Sequence, residues 1–156
     1  MRPLIVCLAV IASGMVLGAN VYTSVVDARS WGRDIPRSLA VAKQYFAVVS
    51  PGTFFRIASP VAQALALLAL IACWSVSGAR IYAAAALVVL VCGDLLTFKY
   101  FYPRNAIMFG DLRDANAAMR ACRGWTTVNH VRSAIVLAGL SAQLLALVEL
   151  AAAGPR

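Results

Sequence analysis

The sequence predicts an all-α integral membrane protein: an antiparallel four-helix bundle with short interfacial helices in its first and third loops. Three observations support this prediction. Hydrophobic residues make up 62% of the 156 residues and charged residues only 13%, against about 25% charged residues in soluble domains. The apolar residues form four stretches, each close to the ~20 residues that a helix needs to cross hydrocarbon. None of the stretches alternates with period two, as the strands of a membrane β-barrel do.

The four predicted spans cover residues 4–26, 57–76, 81–101 and 125–151, within a single transmembrane domain over residues 1–156. Only Ser77-Gly78-Ala79-Arg80 separates the second and third spans. So short a connection predicts an antiparallel helical hairpin. The length of the chain leaves room for two modest loops and for no separate soluble domain.

The first loop has a helical pattern of its own. Apolar residues recur at helical spacing between Ser38 and Val49, which predicts a short amphipathic helix at the membrane interface. Ser38 follows Pro36 and is a candidate N-cap. Ser50-Pro51-Gly52 predicts a turn that leads into the second span.

The third loop also predicts a short interfacial helix. The third span runs into aromatic residues that are typical of headgroup depth, and Pro103 is expected to end it. Residues 111–122 are then expected to be helical, with Asp111 as the cap. The fourth span opens at Trp125.

The net charge of +8 indicates a membrane surface rather than nucleic acid as the partner. No basic-aromatic strand or recognition-helix pattern appears, and the basic residues suit anionic lipid headgroups. The first loop holds five Lys and Arg and the third loop four, whereas the opposite side holds Arg2, Arg80 and Arg156. The positive-inside rule therefore places both long loops in the cytosol. Arg2 favours the opposite orientation of the first span, and a basic loop can also be basic because it forms a site. The expected location is a bacterial inner membrane, with the chain as a multi-pass protein.

Cysteine and histidine usage argues against metal and thiol chemistry. The four cysteines form no C-x-x-C pair, which is unlike thiol–disulfide enzymes and thiolate metal sites. A disulfide between Cys7 and Cys73 is an open alternative to two buried thiols. One histidine alone cannot build a bis-imidazole haem site or a His-rich zinc site. We therefore predict no metal and no cofactor.

Polar residues within the spans gather toward one face of the membrane. If the spans alternate in direction, Asn20, Gln63, Asp94, Asn129 and His130 lie at similar depth. Polar side chains are costly at that depth, so this leaflet is where a functional site is expected.

Two of these residues are candidate proton acceptors. Asp94 is the one acid well inside a span, and it serves either as a base or ligand anchor or as a structural partner between helices. His130 is either a proton shuttle or an interfacial polar residue at the start of a helix. Trp125, Asn129 and Arg132 share one helical face at spacings of four and three.

Several motifs together resemble a known family, the anthrone oxygenase-like family of small four-span membrane proteins. The resemblance covers nearly the whole chain, and its most specific part is the opening of the fourth span. The motifs are Gly18-Ala19-Asn20-Val21-Tyr22, Trp31 with Pro36-x-Ser38, Pro51-Gly52-Thr53-Phe54-Phe55, Thr97-Phe98 with Tyr102-Pro103-Arg104-Asn105, and Trp125-x-x-x-Asn129-x-x-Arg132.

The resemblance implies cofactor-independent oxygenation of an anthrone to an anthraquinone, although most bacterial members of the family are of unknown function. It also implies that Trp125, Asn129 and Arg132 are site residues. The chain departs from the family pattern in two places. His130 lies inside the motif of the fourth span, and Thr23 stands where related sequences carry an acid.

Two classes of function follow. The first is an oxygenase-like enzyme for a lipophilic aromatic substrate from the bilayer, in which His130 or Asp94 removes a proton and Asn129, Arg132 and Arg104 stabilise the anion. The second is a non-catalytic membrane module that binds lipid, a small hydrophobic ligand or a partner subunit. Gly14 and Gly18 have the small-xxx-small spacing that also allows a homo-oligomer. The floor of the expected pocket is formed by Asn20, Gln63 and Asp94, and its wall by Trp125, Asn129, His130 and Arg132. Its lid is basic and aromatic and comes from loops one and three. Further expected substrate-binding residues are Tyr22, Trp31, Phe54, Tyr102 and Arg104.

Overall fold

The structure, a computed structural model, describes residues 1–110 and 114–154, and in these ranges it is helical without a β-strand. Four helical stretches are long and apolar enough to cross a membrane: Arg2–Trp31, Pro51–Ala72, Ser77–Met108 and Ala115–Ala152, the last of which contains a turn at residues 123 and 124. The protein is therefore a multi-pass integral membrane protein, and the predicted all-α four-helix bundle is confirmed.

Two of the long stretches contain short π-helical segments, and two short helices lie in the loops. In chain order the elements of the described residues are α1 (Arg2–Tyr22), π1 (Thr23–Asp27), α2 (Ala28–Trp31), α3 (Arg37–Tyr45), α4 (Pro51–Ala72), α5 (Ser77–Leu96), π2 (Thr97–Phe101), α6 (Tyr102–Met108), α7 (Ala115–Cys122) and α8 (Trp125–Ala152).

The four long helices pack in a ring, in the order α1, α4, α5 and α8, and neighbours are antiparallel. Small side chains at the contacts let the helix backbones approach closely. The core between α5 and α8 contains Ala83 and Ala86 on α5 and Ala146 on α8. Toward the two longer loops the core becomes aromatic, with Trp31, Phe101 and Trp125 buried.

The second span begins earlier than residue 57, because α4 starts at Pro51. Ser50 caps α4 in a capping box with Thr53, and the fixed φ angle of proline suits the first helical position. The predicted turn at residues 50–52 is therefore a helix start. The hairpin connection lies at residues 73–76, before the predicted one, because α5 already begins at Ser77.

Pro103 does not end the third helical stretch, in contrast to the prediction. The ring of a proline inside an α-helix clashes with the carbonyl four residues earlier. Here π2 precedes it, and the Tyr102 N–H bonds to the Thr97 carbonyl five residues back. This wider turn allows Pro103 to occupy the first turn of α6, where its missing N–H costs nothing.

Both loop helices exist but have other caps than expected. α3 begins at Arg37, and the Ser38 hydroxyl makes no N-cap bond but donates to the Trp31 carbonyl. The side chain of Asp114 caps α7 by accepting from the Ala117 N–H at 2.9 Å. The predicted cap Asp111 lies outside the described residues. All four cysteines are free thiols.

Candidate functional site

Arg132 lies at the centre of a polar cluster between α1, α5 and α8, on the side of the two longer loops. The side chain is 6% exposed. Its Nη2 donates to Asn20 Oδ1 at 2.5 Å and its Nη1 donates to Thr97 Oγ1 at 3.3 Å. The guanidinium therefore connects α8 to α1 and to the start of π2.

Two aromatic rings flank the Arg132 guanidinium. Its central carbon lies 4.4 Å from the ring centroid of Phe101 and 4.9 Å from that of Phe55, which are cation–π distances. Nε is buried without a hydrogen-bond partner. None of the carboxylates in residues 1–110 and 114–154 forms a salt bridge with Arg132. The hydrogen bonds of the guanidinium go to neutral groups, and Asp94 acts on it through space without a salt bridge. The buried guanidinium therefore keeps donors and a positive field that favour an anionic or polarised oxygen nearby.

Asn129 holds α8 against α1 and π1. It is 0% exposed. Its Nδ2 donates to the Asn20 carbonyl at 2.9 Å and to Ser24 Oγ at 2.6 Å. Buried polar groups are strongly selected for such pairing, so Asn129 positions Asn20 and, through it, Arg132.

Both π-helices adjoin this cluster. π1 begins at Thr23, whose hydroxyl donates to the Ala19 carbonyl at 2.8 Å. π2 begins at Thr97, whose hydroxyl donates to the Gly93 carbonyl at 3.1 Å. π-helical turns inside α-helices occur often at functional sites. Here they widen α1 and α5 at the depth of Arg132.

A cavity of about 840 Å³ opens beneath the loops. Arg132 and Thr97 lie at its inner end, and Lys43 and Arg56 supply two further cations. This volume is within the ~300–1,000 Å³ of small-molecule sites. The aromatic residues of its wall are Trp31, Phe46, Phe55, Phe101, Tyr102, Phe109 and Trp125.

A second cavity, of about 170 Å³, lies deeper in the bundle and contains Asp94. Arg132, Phe55 and Thr97 line both cavities, so the two adjoin at the guanidinium. Gln63 Nε2 donates to Asp94 Oδ2 at 2.5 Å. This bond between α4 and α5 orients the carboxylate, whose environment also includes Pro60 and Phe98.

The aromatic wall of the large cavity is rigid because its rings pack edge to face. The ring centroids of Trp31 and Trp125 are 5.2 Å apart, and those of Phe101 and Trp125 are 5.1 Å apart. Trp125 Nε1 donates to Asn105 Oδ1 at 2.9 Å. Such edge-to-face pairs stabilise beyond the burial of their area, so the wall is formed before a ligand binds.

Replacing Trp125 with phenylalanine is expected to lower stability by about 1 kcal/mol, because the bond to Asn105 is lost while a ring remains. Thermal unfolding in detergent measures the change. Trp74→Phe is the matched control, since Trp74 is 62% exposed at the opposite end of the bundle. Equal melting temperatures for the two variants would contradict this role of Trp125.

Eight of the twelve predicted site residues either line one of the two cavities or form a hydrogen bond with a residue of the polar cluster or of a cavity. Asn20, Asp94 and Arg132 line the small cavity, and Trp31, Tyr102 and Trp125 join Arg132 in the large one. The other two act through hydrogen bonds: Gln63 to Asp94, and Asn129 to Asn20 and Ser24.

Four predicted residues lie elsewhere: Tyr22, Phe54, Arg104 and His130 line neither cavity. Tyr22, Phe54 and His130 are exposed, and each is the sequence neighbour of a buried or cavity-lining residue. One step along a helix rotates a side chain by about 100°. The expectation that His130 belongs to the pocket wall is therefore not met. Arg104 packs over the Tyr100 ring at 3.7 Å instead.

Sequence reasoning missed several residues of the site. Thr23, Phe55 and Thr97 line the cavities, and Ser24 pairs with Asn129. Thr97 lies three residues after Asp94 and thus on a neighbouring helical face, which is a signal that the sequence did offer. Lys43 and Arg56 carry no signal in the sequence beyond that of loop charges.

Among residues 1–110 and 114–154, no group of three His, Cys, Asp or Glu side chains could hold a metal ion.

Comparison of the chain with protein-family models, with curated proteins and with solved structures finds no match. The resemblance to the anthrone oxygenase-like family therefore stays a prediction from the motifs.

Proposed function

We propose that this membrane protein binds a flat, lipophilic aromatic molecule with an ionisable oxygen and oxygenates it in the manner of an anthrone oxygenase. The observation that best supports this proposal is the Arg132 guanidinium. It is buried between two rings at the junction of two cavities, and no carboxylate in the described part of the chain neutralises it through a salt bridge.

The large cavity suits such a ligand in shape and chemistry. Rings from Trp31, Phe55 and Trp125 offer stacking and edge-to-face contacts. Arg132 at the inner end would stabilise an enolate or phenolate oxygen, because fixed donors in a site of low dielectric act strongly on developing charge. A lipophilic substrate would reach this cavity from the bilayer.

Asp94 is the proposed base. It lines the small cavity, which adjoins the large one at Arg132, so the reacting CH₂ of the substrate would lie at the junction of the two cavities. In the reaction, the Asp94 carboxylate accepts a proton from the benzylic CH₂ of an anthrone, and the electron pair enters the ring system as an enolate next to Arg132. The enolate carbon forms a bond to dioxygen, giving a hydroperoxide once a proton is added. The second C–H proton then leaves, the O–O bond breaks and water departs. Anthrone and dioxygen thus give anthraquinone and water, and dioxygen is the oxidant.

Asp94→Asn tests the chemical step. We expect turnover of a dihydroxyanthrone in air to fall by about 100-fold or more, as is typical when a general base is lost, while binding changes little. Product is measured by absorbance, and the rate without protein is subtracted. His130→Ala is the matched control, because His130 is exposed and lines neither cavity. Full turnover by Asp94→Asn would remove Asp94 as the base.

A second function, a non-catalytic binder, is favoured by one observation: Lys43 and Arg56 also line the large cavity. These cations suit an anionic headgroup. This alternative predicts that the wild-type protein retains its ligand but produces no anthraquinone above the background rate. The positive-inside count supports a cytosolic position for the loops beside this cavity, and a bacterial inner membrane is the proposed location.

A further inference from the structure

A separate groove of about 440 Å³ lies between α2 and α3, on the other side of Trp31 from the large cavity. Four charged residues line it: Asp27, Arg33, Asp34 and Arg37. The groove therefore offers two cations and two anions. The proposed oxygenation uses none of them.

These charges do not neutralise one another in pairs. Among the described residues, the salt bridge present joins Arg120 to Asp114 at 3.8 Å, and no two of the four groove residues form one. A groove with separate positive and negative groups is complementary to a zwitterion, since each of its charges finds an opposite charge.

The polar edge of the groove has a fixed shape. The Ser38 hydroxyl donates to the Trp31 carbonyl, and the Asp34 N–H donates to Ser38 Oγ at 3.3 Å. The Ser38 N–H also donates to the Asp34 carbonyl at 2.8 Å. These bonds tie the segment between α2 and α3 to itself, so the backbone at Asp34 is already ordered before a ligand binds.

The other edge of the groove is apolar and open. Val41 and Tyr45 line it from α3, and they are 61% and 82% exposed. The groove also begins where the first membrane-spanning stretch ends, at Asp27–Trp31. A charged pocket at this end with an exposed apolar edge matches a molecule with a polar head and a hydrocarbon tail.

We propose that this groove binds the headgroup of a zwitterionic phospholipid with a primary ammonium, that is, a phosphatidylethanolamine. The phosphate accepts hydrogen bonds from Arg33 and Arg37, and the ammonium donates to the carboxylates of Asp27 and Asp34. A primary ammonium has three N–H donors for carboxylates, whereas a choline headgroup has none. The acyl chains lie along Val41 and Tyr45. Trp31 and Phe46 line both the groove and the large cavity, so a bound lipid would support the aromatic wall.

The test is lipid retention by the full-length protein, measured by native mass spectrometry after exchange into vesicles of equimolar phosphatidylethanolamine, phosphatidylglycerol and phosphatidylcholine. We expect phosphatidylethanolamine to be retained about tenfold over the other two, the ratio that one charge-assisted hydrogen bond supplies. Equal retention of the three lipids, or a preference for phosphatidylglycerol or phosphatidylcholine, would overturn the proposal.

Variants test separately the proposed sites for the ammonium and for the phosphate of the headgroup. Asp27→Asn with Asp34→Asn should abolish the preference for phosphatidylethanolamine over phosphatidylglycerol. Arg33→Gln with Arg37→Gln should lower the retention of both phosphatidylethanolamine and phosphatidylglycerol. Arg33, Asp34 and Arg37 are exposed, so their replacement should affect folding little. If the double aspartate variant is unstable, Asp34→Asn alone tests the ammonium site. Arg29→Gln, outside the groove, is the control and should bind as wild type. An unchanged preference in the aspartate variants would remove the ammonium site.

Discussion

Replacing Arg132 with methionine is expected to weaken binding of a dihydroxyanthraquinone by roughly 10- to 100-fold. The ligand loses a charge-assisted hydrogen bond, which is typically worth about 1.5–3 kcal/mol. Methionine keeps an apolar side chain between Phe55 and Phe101. Because a buried cation is costly to desolvate, its removal need not unfold the protein, although Asn20 Oδ1 loses its donor.

Tryptophan fluorescence measures this binding directly. Trp31 and Trp125 line the large cavity, whereas Trp74 lies at the opposite end of the bundle, packed with Arg80. In a Trp74→Phe background, ligand-dependent quenching therefore reports on the large cavity through Trp125 and on both the cavity and the groove through Trp31. Arg132→Lys should bind with intermediate affinity because it keeps the charge but not the planar donor pair.

Arg80→Met is the control for the loss of a cation and should bind as the Trp74→Phe parent does, because Arg80 lies far from the cavity. Undiminished affinity of a folded Arg132→Met variant would show that the guanidinium does not hold the ligand.

Replacing Gly139 with leucine is expected to have the largest effect on stability, a loss of about 1–3 kcal/mol or more from overpacking. A Cβ atom on Gly139 would lie 3.1 Å from Leu90 Cγ and 3.6 Å from the Ala86 carbonyl oxygen. α5 and α8 therefore approach each other closely at this level, and a leucine side chain would push them apart. Thermal unfolding in detergent measures the change.

Gly18→Leu is the matched control, because no atom lies within 4 Å of a Cβ atom built on Gly18. Both changes raise helix propensity equally, so the difference between the melting temperatures of the two variants reports the effect of packing alone. Adding Leu90→Ala to Gly139→Leu should restore part of the lost stability. If Gly139→Leu melted as Gly18→Leu does, the close contact of α5 and α8 would be contradicted.

The fold was predictable because membrane helices follow from the length and polarity of apolar stretches. Helix ends were less predictable, since they depend on turn geometry that composition does not reveal. Pro103 illustrates this: by itself it indicates a helix end, and only the preceding π-helical turn lets the helix continue to Met108.

The depth of the polar cluster in the membrane was predictable from the sequence, but the direction in which each side chain points was predictable only in part. Asn20, Asp94, Asn129 and Arg132 were identified because polar residues inside apolar stretches are conspicuous. Their exact partners depend on helix rotation, which short motifs do not fix. Asn129 points into the bundle while His130 is exposed. The rings that complete the site, Phe55 and Phe101, are indistinguishable in sequence from ordinary apolar residues.

An experimental structure of the protein in lipid nanodiscs with a bound dihydroxyanthraquinone tests the central claim most directly. The proposal predicts the ring system inside the large cavity against Trp31 and Trp125, with a ligand oxygen about 3 Å from an Arg132 nitrogen. A ligand bound elsewhere, or within the cavity with its oxygens turned away from Arg132, would contradict it.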